Sequence, residues 1–309
     1  MDFFKFIINK LIRCNINTKN VFKTIRNSLP KKMLYLSLKF DRIALVMNSQ
    51  KKFYRIISAT LISLCICFSM YAQPKVIAHR GYWKTEDSAQ NSIRSLLKAD
   101  SIGVYGSEVD IWLSADGIPV VNHDATVVLN GKKLTVEETT TDTLKQVKLA
   151  NGESLPTFEA YLDAFATCQN TKLIVEFKTH KKKVHEDELA ARVIQMVRNR
   201  HLQNKVEYIS FGKNFVEQVR KLDPEAKIYY LNGDLTPAEL STMGAAGLDY
   251  HYNVLYQRPE WVKQAHEKGL KVNVWTVNSS EDIQKVIDLG VDFITTDEPE
   301  TVKQKIAEL

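Results

Sequence analysis

The sequence predicts an α/β chain folded as a (β/α)8 TIM barrel. Three observations lead there. From Lys75 onward, short apolar runs alternate with amphipathic helical patterns. Eight of these runs are separated from the next by stretches long enough for a crossover helix, which parallel neighbours require. The Gly-rich phosphate fingerprint is absent, and that disfavours the nearest rival, a doubly wound open sheet.

In chain order, strands are expected over 76–78, 106–112, 173–177, 206–211, 227–231, 248–254, 271–277 and 291–295. Helices are expected over 91–101, 157–166, 186–200, 213–222, 236–243, 259–268 and 280–289, where apolar residues recur every three or four positions. Their ends carry the usual signals: Thr236-Pro237 opens one, Ser279 or Ser280 caps the last, and Gly269 and Gly290 follow two others. One further apolar run, 118–122, follows the second strand closely, across Ser114-Ala115-Asp116-Gly117. No helix fits there, and Asp-Gly is a hairpin turn signal. This run therefore returns antiparallel beside the second strand, as an excursion from the barrel. Residues 130–155 read as a polar insertion with a short helix on the loop side.

The front of the chain differs in charge. Residues 1–72 hold 13 Lys/Arg against 2 Asp/Glu, whereas the remainder holds 29 against 34. The body is mildly acidic, so the net charge of +6 is no argument for a nucleic-acid partner. Met47 is followed by Lys51, Lys52 and Arg55, an apolar run from Ile56 to Met70, and Tyr71-Ala72 before Gln73. That is the layout of a secretory signal peptide over 47–72. Residues 1–46 then read as an upstream extension from a start codon placed too early. The barrel domain is expected over 73–309, exported and periplasmic, with no stable membrane insertion after cleavage. The alternative is an uncleaved N-terminal anchor, although the apolar run falls short of the roughly 20 residues a spanning helix needs. Beyond Gln73 the only cysteine is Cys168, which excludes an internal disulfide and a cysteine-based metal site in the body.

In such a barrel, reacting groups sit at the C-terminal ends of the strands. His79 and Arg80 end the first strand. Glu108 and Asp110 lie late in the second, and Glu176 and Lys178 end the third; each i,i+2 pair faces one side. The hairpin brings His123, followed by Asp124, back to the same rim. Three carboxylates this close repel one another unless something positive lies between them. Oxygen-only donors suit one hard divalent cation, Ca²⁺ or Mg²⁺. The two histidines are candidates for general acid and base, and Arg80 and Lys178 suit an anionic phosphate.

The order of these motifs resembles the glycerophosphodiester phosphodiesterase family across residues 75–303. The matching segments are Ala78–Gly81 (Ala-His-Arg-Gly), Glu108–Asp110, Asp116–Asp124, Leu155-Pro156-Thr157 and Glu176–Lys178. Trp275–Asn278 (Trp-Thr-Val-Asn) and Gly290–Pro299, with its closing Thr-Asp-x-Pro, complete the set. The resemblance implies a metal held by Glu108, Asp110 and Glu176, an acid–base pair in His79 and His123, Arg80 and Lys178 at the phosphate, and Trp275 lining the pocket or filling the barrel core. It implies cleavage of a small glycerophosphodiester to glycerol 3-phosphate and an alcohol. Two departures stand out. Ala89-Gln90-Asn91-Ser92 replaces the family's Pro-Glu-Asn-Thr, and its Arg-Thr-Thr after His-Asp has no counterpart in Ala125–Lys132. Competing expectations are a sphingomyelinase D or phosphatidylinositol phospholipase C type of phosphodiesterase, and an exported binding protein on the same barrel without turnover. The remaining histidines, His180, His185, His201, His251 and His266, read as surface or satisfied core.

Overall fold

The computed structural model describes residues 73–309. The extension expected over 1–46 and the signal peptide over 47–72 lie outside the described residues. Among the described residues, no helix is long and apolar enough to cross a membrane.

Eight parallel strands form the ring: β1 (Lys75–Ala78), β2 (Gly106–Leu113), β6 (Lys172–Phe177), β7 (Val206–Ser210), β8 (Ile228–Tyr230), β9 (Gly247–His251), β10 (Lys271–Trp275) and β11 (Phe293–Thr296). Pairing of β1 with β11 on one side (Lys75 opposite Phe293) and with β2 on the other (Ile77 opposite Gly106) closes it, which excludes the open sheet. The extra strand β3 (Pro119–Val121) runs antiparallel to the far half of β2, with Ile111 opposite Val121 and Leu113 opposite Pro119. The hairpin excursion is therefore as the sequence predicts.

Side chains alternate across each strand, and this alternation sorts the core. Val109, Ile111, Val175, Phe177, Tyr250, Val272 and Val274 face the helices and belong to the large apolar layer outside the ring. The intervening positions face inward: Ile77, Ile174, Ile209, Tyr229, Leu231 and Phe293 form a separate apolar plug inside the barrel. On β2, β6 and β9 the same inward parity delivers Glu108, Asp110, Glu176 and Asp249. A strand buried on both faces thus carries its acids inside because its aliphatic residues already occupy the outer face.

The outer helices are α1 (Ile93–Ser101), α3 (Phe158–Phe165), α4 (Lys183–Asn199), α5 (Lys213–Leu222), α6 (Pro237–Met243), α8 (Glu260–Glu267), α9 (Ser280–Leu289) and α10 (Pro299–Ala307), with short α2 (Thr141–Leu144) and α7 (Tyr252–Gln257) in the loops. Thr236 and Glu239 form a capping box on α6, and Ser279 caps α9 by accepting from the Asp282 amide. Gly290 closes α9 in the left-handed conformation. The strand expected over 248–254 stops at His251, and Tyr252 begins α7 instead. His251 Nδ1 accepts from the Asn253 amide, so its side chain caps the new helix.

The insertion holds a feature the sequence reading lacks. β4 (Thr126–Leu129) and β5 (Lys132–Thr135) form a hairpin around Asn130-Gly131. Both turn residues have positive φ, 50° and 75°, as a two-residue hairpin turn requires. The expected short helix is α2. Val127, Val136, Leu144, Val147 and Leu155 make a small core of their own against Trp112 and Val120. That core seats the insertion against β2 and β3.

Candidate active site

The loop after β1 is built around two residues in the left-handed region, Arg80 (φ 56°) and Asn91 (φ 60°). The Arg80 carbonyl accepts from the Asn91 amide at 3.0 Å and from Ser95 Oγ at 3.2 Å, which locks the loop onto α1. A Cβ on Gly81 would lie 2.3 Å from Ser95 Oγ, and its φ is 78°, so only glycine fits there. Asn91 then reaches inward. Its Nδ2 donates to Asp110 Oδ2 at 2.8 Å, and its Oδ1 accepts from the Asp110 amide at 3.1 Å. This two-point clamp fixes the orientation of a fully buried carboxylate.

Glu108, Asp110 and Glu176 are all buried, and each offers an oxygen within 4.8 Å of the others. Asp110 stands opposite Glu176 in the β2–β6 register. Lys178 Nζ donates to Glu176 Oε1 at 2.6 Å and lies 2.8 Å from Asp110 Oδ1. One ammonium does not balance three buried carboxylates. Burial pushes Glu176 up to about 8, helped by the charge on Asp110 and opposed by Lys178. Burial raises Glu108 well above the carboxylate range, reinforced by Asp110, Glu176 and Asp249. Asp110 goes the other way: burial favours its neutral form but is outweighed by Lys178, His123 and the Asn91 hydrogen bond. Burial disfavours charge on Lys178 as well, and its two carboxylate partners overcome that and raise it. A cluster of oxygens with surplus negative charge fits a hard divalent cation, which these three residues could hold.

Two histidines flank the cluster. His79 Nδ1 lies 2.7 Å from Asp297 Oδ1, and its Nε2 is 3.8 Å from Glu108 Oε1. Asp297 also accepts from Trp83 Nε1 at 3.0 Å and Asn278 Nδ2 at 2.9 Å. Burial would raise the Asp297 carboxyl, but the hydrogen bonds from His79, Asn278 and Trp83 prevail and hold it at about 2. It is therefore a firm anion at neutral pH and orients the imidazole. His123 Nδ1 is paired with Asp124 Oδ1 at 2.7 Å. Burial lowers the His123 pKa, with Lys178 and Arg80 adding to the effect against the opposing pull of Asp110 and Asp124.

Arg80 is held from the side. Its Nη1 donates to Gln90 Oε1 at 2.7 Å, and its Nε is 3.8 Å from Asp110 Oδ2. The neutral amide at position 90 thus still supports the guanidinium. Trp275 Nε1 donates to the Asp249 carbonyl at 2.9 Å, and Phe211 and His251 meet its ring edge-on at 5.6 and 5.2 Å. The indole both lines the cavity and packs on the plug inside the barrel.

These groups surround two connected spaces. The inner cavity, about 100 Å³, is lined by every sequence-predicted site residue except Asp110, which lies behind Lys178. The outer cleft, about 590 Å³, opens between the Trp83–Asn91 loop, the Asn122–Asp124 hairpin end and Leu149-Ala150 of the insertion. Arg80 and His123 line both.

Three residues of this site lack a role in the sequence reading: Asn91, Asp249 and Asp297. Asp297 sits in the closing Thr-Asp-x-Pro segment, 218 positions from His79, and only the closure of β11 against β1 joins them. Inward parity on a strand that is otherwise aliphatic is the signal that could have found Asp249. Of the other histidines, His180 is buried at the rim: Leu113 N donates to its Nε2 at 3.0 Å, so Nδ1 carries the proton and donates to the Lys178 carbonyl at 2.7 Å. His266 pairs with Asp292 at 2.8 Å, away from the site.

Comparison with known proteins agrees with this geometry. The glycerophosphoryl diester phosphodiesterase family matches residues 79–301. A glycerophosphodiester phosphodiesterase of Caldanaerobacter subterraneus subsp. tengcongensis is 30% identical over 241 residues, covering 74% of this chain and 95% of that protein. The crystal structure of a glycerophosphodiester phosphodiesterase from Parabacteroides distasonis superposes with a TM-score of 0.74 at 46% identity, over 76% of this chain and 98% of that one. An Oleispira antarctica phosphodiesterase solved with its product sn-glycerol-3-phosphate has the same fold, with a TM-score of 0.66 at 24% identity over 77% and 98% of the two chains. With the barrel closed and the motif residues gathered at one rim, the chain belongs to the glycerophosphoryl diester phosphodiesterase family and is a phosphoric diester hydrolase.

Proposed function

We propose that the protein is exported and hydrolyses small glycerophosphodiesters to glycerol 3-phosphate and an alcohol, with one divalent cation, Ca²⁺ or Mg²⁺, held by Glu108, Asp110 and Glu176. The observation that carries this reading is the gathering of three buried carboxylates within 4.8 Å beside two histidines at a shared cavity. When bound, the cation supplies Lewis-acid stabilisation of the charge that develops on the phosphate oxygens.

The remaining work falls to side chains. Arg80, braced by Gln90, stands where the two spaces meet and binds the phosphate there. Lys178 keeps Asp110 ionised and offsets part of the charge of Glu176. His123, which burial and its cationic neighbours keep neutral, takes the proton from the attacking oxygen. His79, held at Nδ1 by the Asp297 carboxylate so that Nε2 faces the cavity, gives a proton to the leaving oxygen. Trp275 walls the inner cavity and excludes water from the back of the phosphate. Export rests on the charge and hydropathy pattern of residues 47–72 alone.

The test is release of glycerol 3-phosphate from deacylated phospholipids by the purified protein. His79→Ala and His123→Ala should each cost ~10²–10⁴-fold in kcat, the usual span for a positioned acid or base. Near-normal turnover by both variants overturns the assignment. Mass spectrometry of the native N-terminus tests export: a chain starting near Gln73 supports it, and a peptide from residues 1–46 in the mature protein contradicts it.

A further inference from the structure

A fourth carboxylate lies inside the barrel, and the reading above leaves it unused. Asp249 projects inward from β9 and is 1% exposed. It lines the inner cavity with His79, Glu108, Glu176 and Trp275. The grouping of oxygens within 4.8 Å comprises Glu108, Asp110 and Glu176 and does not include Asp249. It therefore stands apart from the three residues that could share a cation.

Asp249 Oδ1 is buried and has no hydrogen-bond partner among the described residues. Asn273 stands opposite Asp249 in the β9–β10 register and supports the carboxyl from one side, while its Nδ2 also donates to Thr295 Oγ1 at 2.9 Å and its Oδ1 accepts from the Val274 amide at 2.9 Å; Asp249 Oδ1 is left unpaired. The Asp249 main-chain carbonyl accepts from Trp275 Nε1 at 2.9 Å, which ties β9 to the indole wall. The rest of the wall is apolar: Ile209, Phe211 and Leu231. Buried polar atoms in folded proteins are almost always paired, and an exception calls for an account. A ligand that brings its own donor supplies one.

The shape of the cavity limits that ligand. The inner space is about 100 Å³. A short polyol arm fits it and a bulky head group does not. The outer cleft is about six times larger and open to solvent. Arg80 and His123 belong to both walls, so a diester phosphate at that seam sends one arm inward and the other outward. The inward arm must be small and must carry a hydroxyl. Burial raises the Asp249 carboxyl to about 7, while Asn273 beside it pulls the other way. That balance suits exchange of a hydrogen bond with a neutral hydroxyl.

Taking the phosphodiesterase reading as given, we propose that Asp249 is a specificity residue that accepts a hydrogen bond from a hydroxyl of the substrate's glycerol arm. The glycerol half occupies the inner cavity, and the variable alcohol leaves through the outer cleft.

The test is a two-by-two comparison of binding, read by calorimetry in the presence of Mg²⁺ and, separately, Ca²⁺. The ligands are glycerol 3-phosphate and n-propyl phosphate, which lacks both hydroxyls. The proteins are wild type and Asp249→Asn. Wild type should prefer glycerol 3-phosphate by about 10- to 100-fold, the worth of a hydrogen bond to a charged group. Asp249→Asn should lose most of that preference, and the loss should not add to the loss from removing the hydroxyls. A purely structural role would weaken both ligands alike, and that result overturns the proposal. So does equal binding of the two ligands by wild type, or a preference kept intact by the variant. Should Asp249→Asn fail to fold, Asp249→Ser enters the same comparison. Catalysis is measured separately: no release of glycerol 3-phosphate from any glycerophosphodiester sinks the hydrolase reading, whereas the binding preference alone decides the role of Asp249.

Discussion

Lys178→Met removes the ammonium that offsets part of the charge of the buried acids. The side chain is only 10% exposed and sits 2.6 Å from Glu176 and 2.8 Å from Asp110. Breaking a buried ion pair from one side costs ~3–5 kcal/mol, because the partners stay buried without compensation. For a domain of this size, 1 kcal/mol moves Tm by about 2–4 °C, so the variant should melt about 6–20 °C lower in EDTA. The sign of the pH dependence follows from the raised acids. Glu176 stands at about 8 in the fold against an ordinary 4.5. An ionised carboxyl with a raised folded pKa destabilises the fold above that value, and the penalty is relieved as pH falls through it. Without Lys178 the acids shift further up, so the deficit should grow as pH rises through 8 and be larger at pH 8.5 than at pH 6. Added Ca²⁺ or Mg²⁺ should restore more stability to the variant than it adds to wild type, since it supplies the missing charge. Thermal melts by circular dichroism at both pH values, with and without cation, read all of this. A variant within 2 °C of wild type in EDTA at pH 8.5 would refute the charge balance argued for the site.

Three other perturbations probe separate parts. Asp297→Asn removes the anion that orients His79 and should lower kcat by about 10²-fold or more with little change in KM; an unchanged kcat in steady-state assays contradicts the pairing. Gln90→Ala frees Arg80 Nη1 from its 2.7 Å partner and should reduce kcat/KM about tenfold, the worth of one charge-assisted hydrogen bond, while the melting temperature stays put. Asp292→Asn tests the scaffold: Asp292 accepts from His266, from Lys271 at 2.6 Å and from the Val272 amide at 2.9 Å. Burial opposes its ionisation, but these donors prevail and lower its pKa, so its stabilisation is present above the ordinary 3.8 and is lost as pH falls below it. Urea unfolding should show a deficit of ~1.5–3 kcal/mol at pH 7 that fades in acid; a deficit independent of pH would mean packing, not charge, is responsible.

The parts of the fold legible from sequence are those set by period and punctuation. The eight barrel strands, the β2–β3 return and the caps at Thr236 and Ser279 were visible because each is a local pattern. The end of β9 was not. Residues 252–254 continue an apolar run, and only the cap made by His251 turns them into a helix. The β4–β5 hairpin carries its signal in Asn130-Gly131, at the start of a stretch that otherwise reads as a polar insertion. At the site, the i,i+2 spacing put Glu108 with Asp110 on one strand and Glu176 with Lys178 at the end of the next, and the structure brings the three carboxylates within 4.8 Å. The supporting contacts could not be read in that way. Asn91 clamps Asp110 across 19 positions through the pairing of β1 with β2, and Asp297 meets His79 across 218 through the closure of β11 against β1; neither is set by local spacing.

The most direct test is calorimetric titration of the chelator-treated protein with Ca²⁺ and with Mg²⁺ at pH 7, in two buffers of different ionisation heat. One ion per chain should bind with net release of protons, because burial raises both Glu108 and Glu176 and a cation favours their ionised forms. The signal should vanish in Glu108→Gln/Glu176→Gln. Absence of binding by wild type, or binding by the double variant at wild-type affinity, would contradict the account.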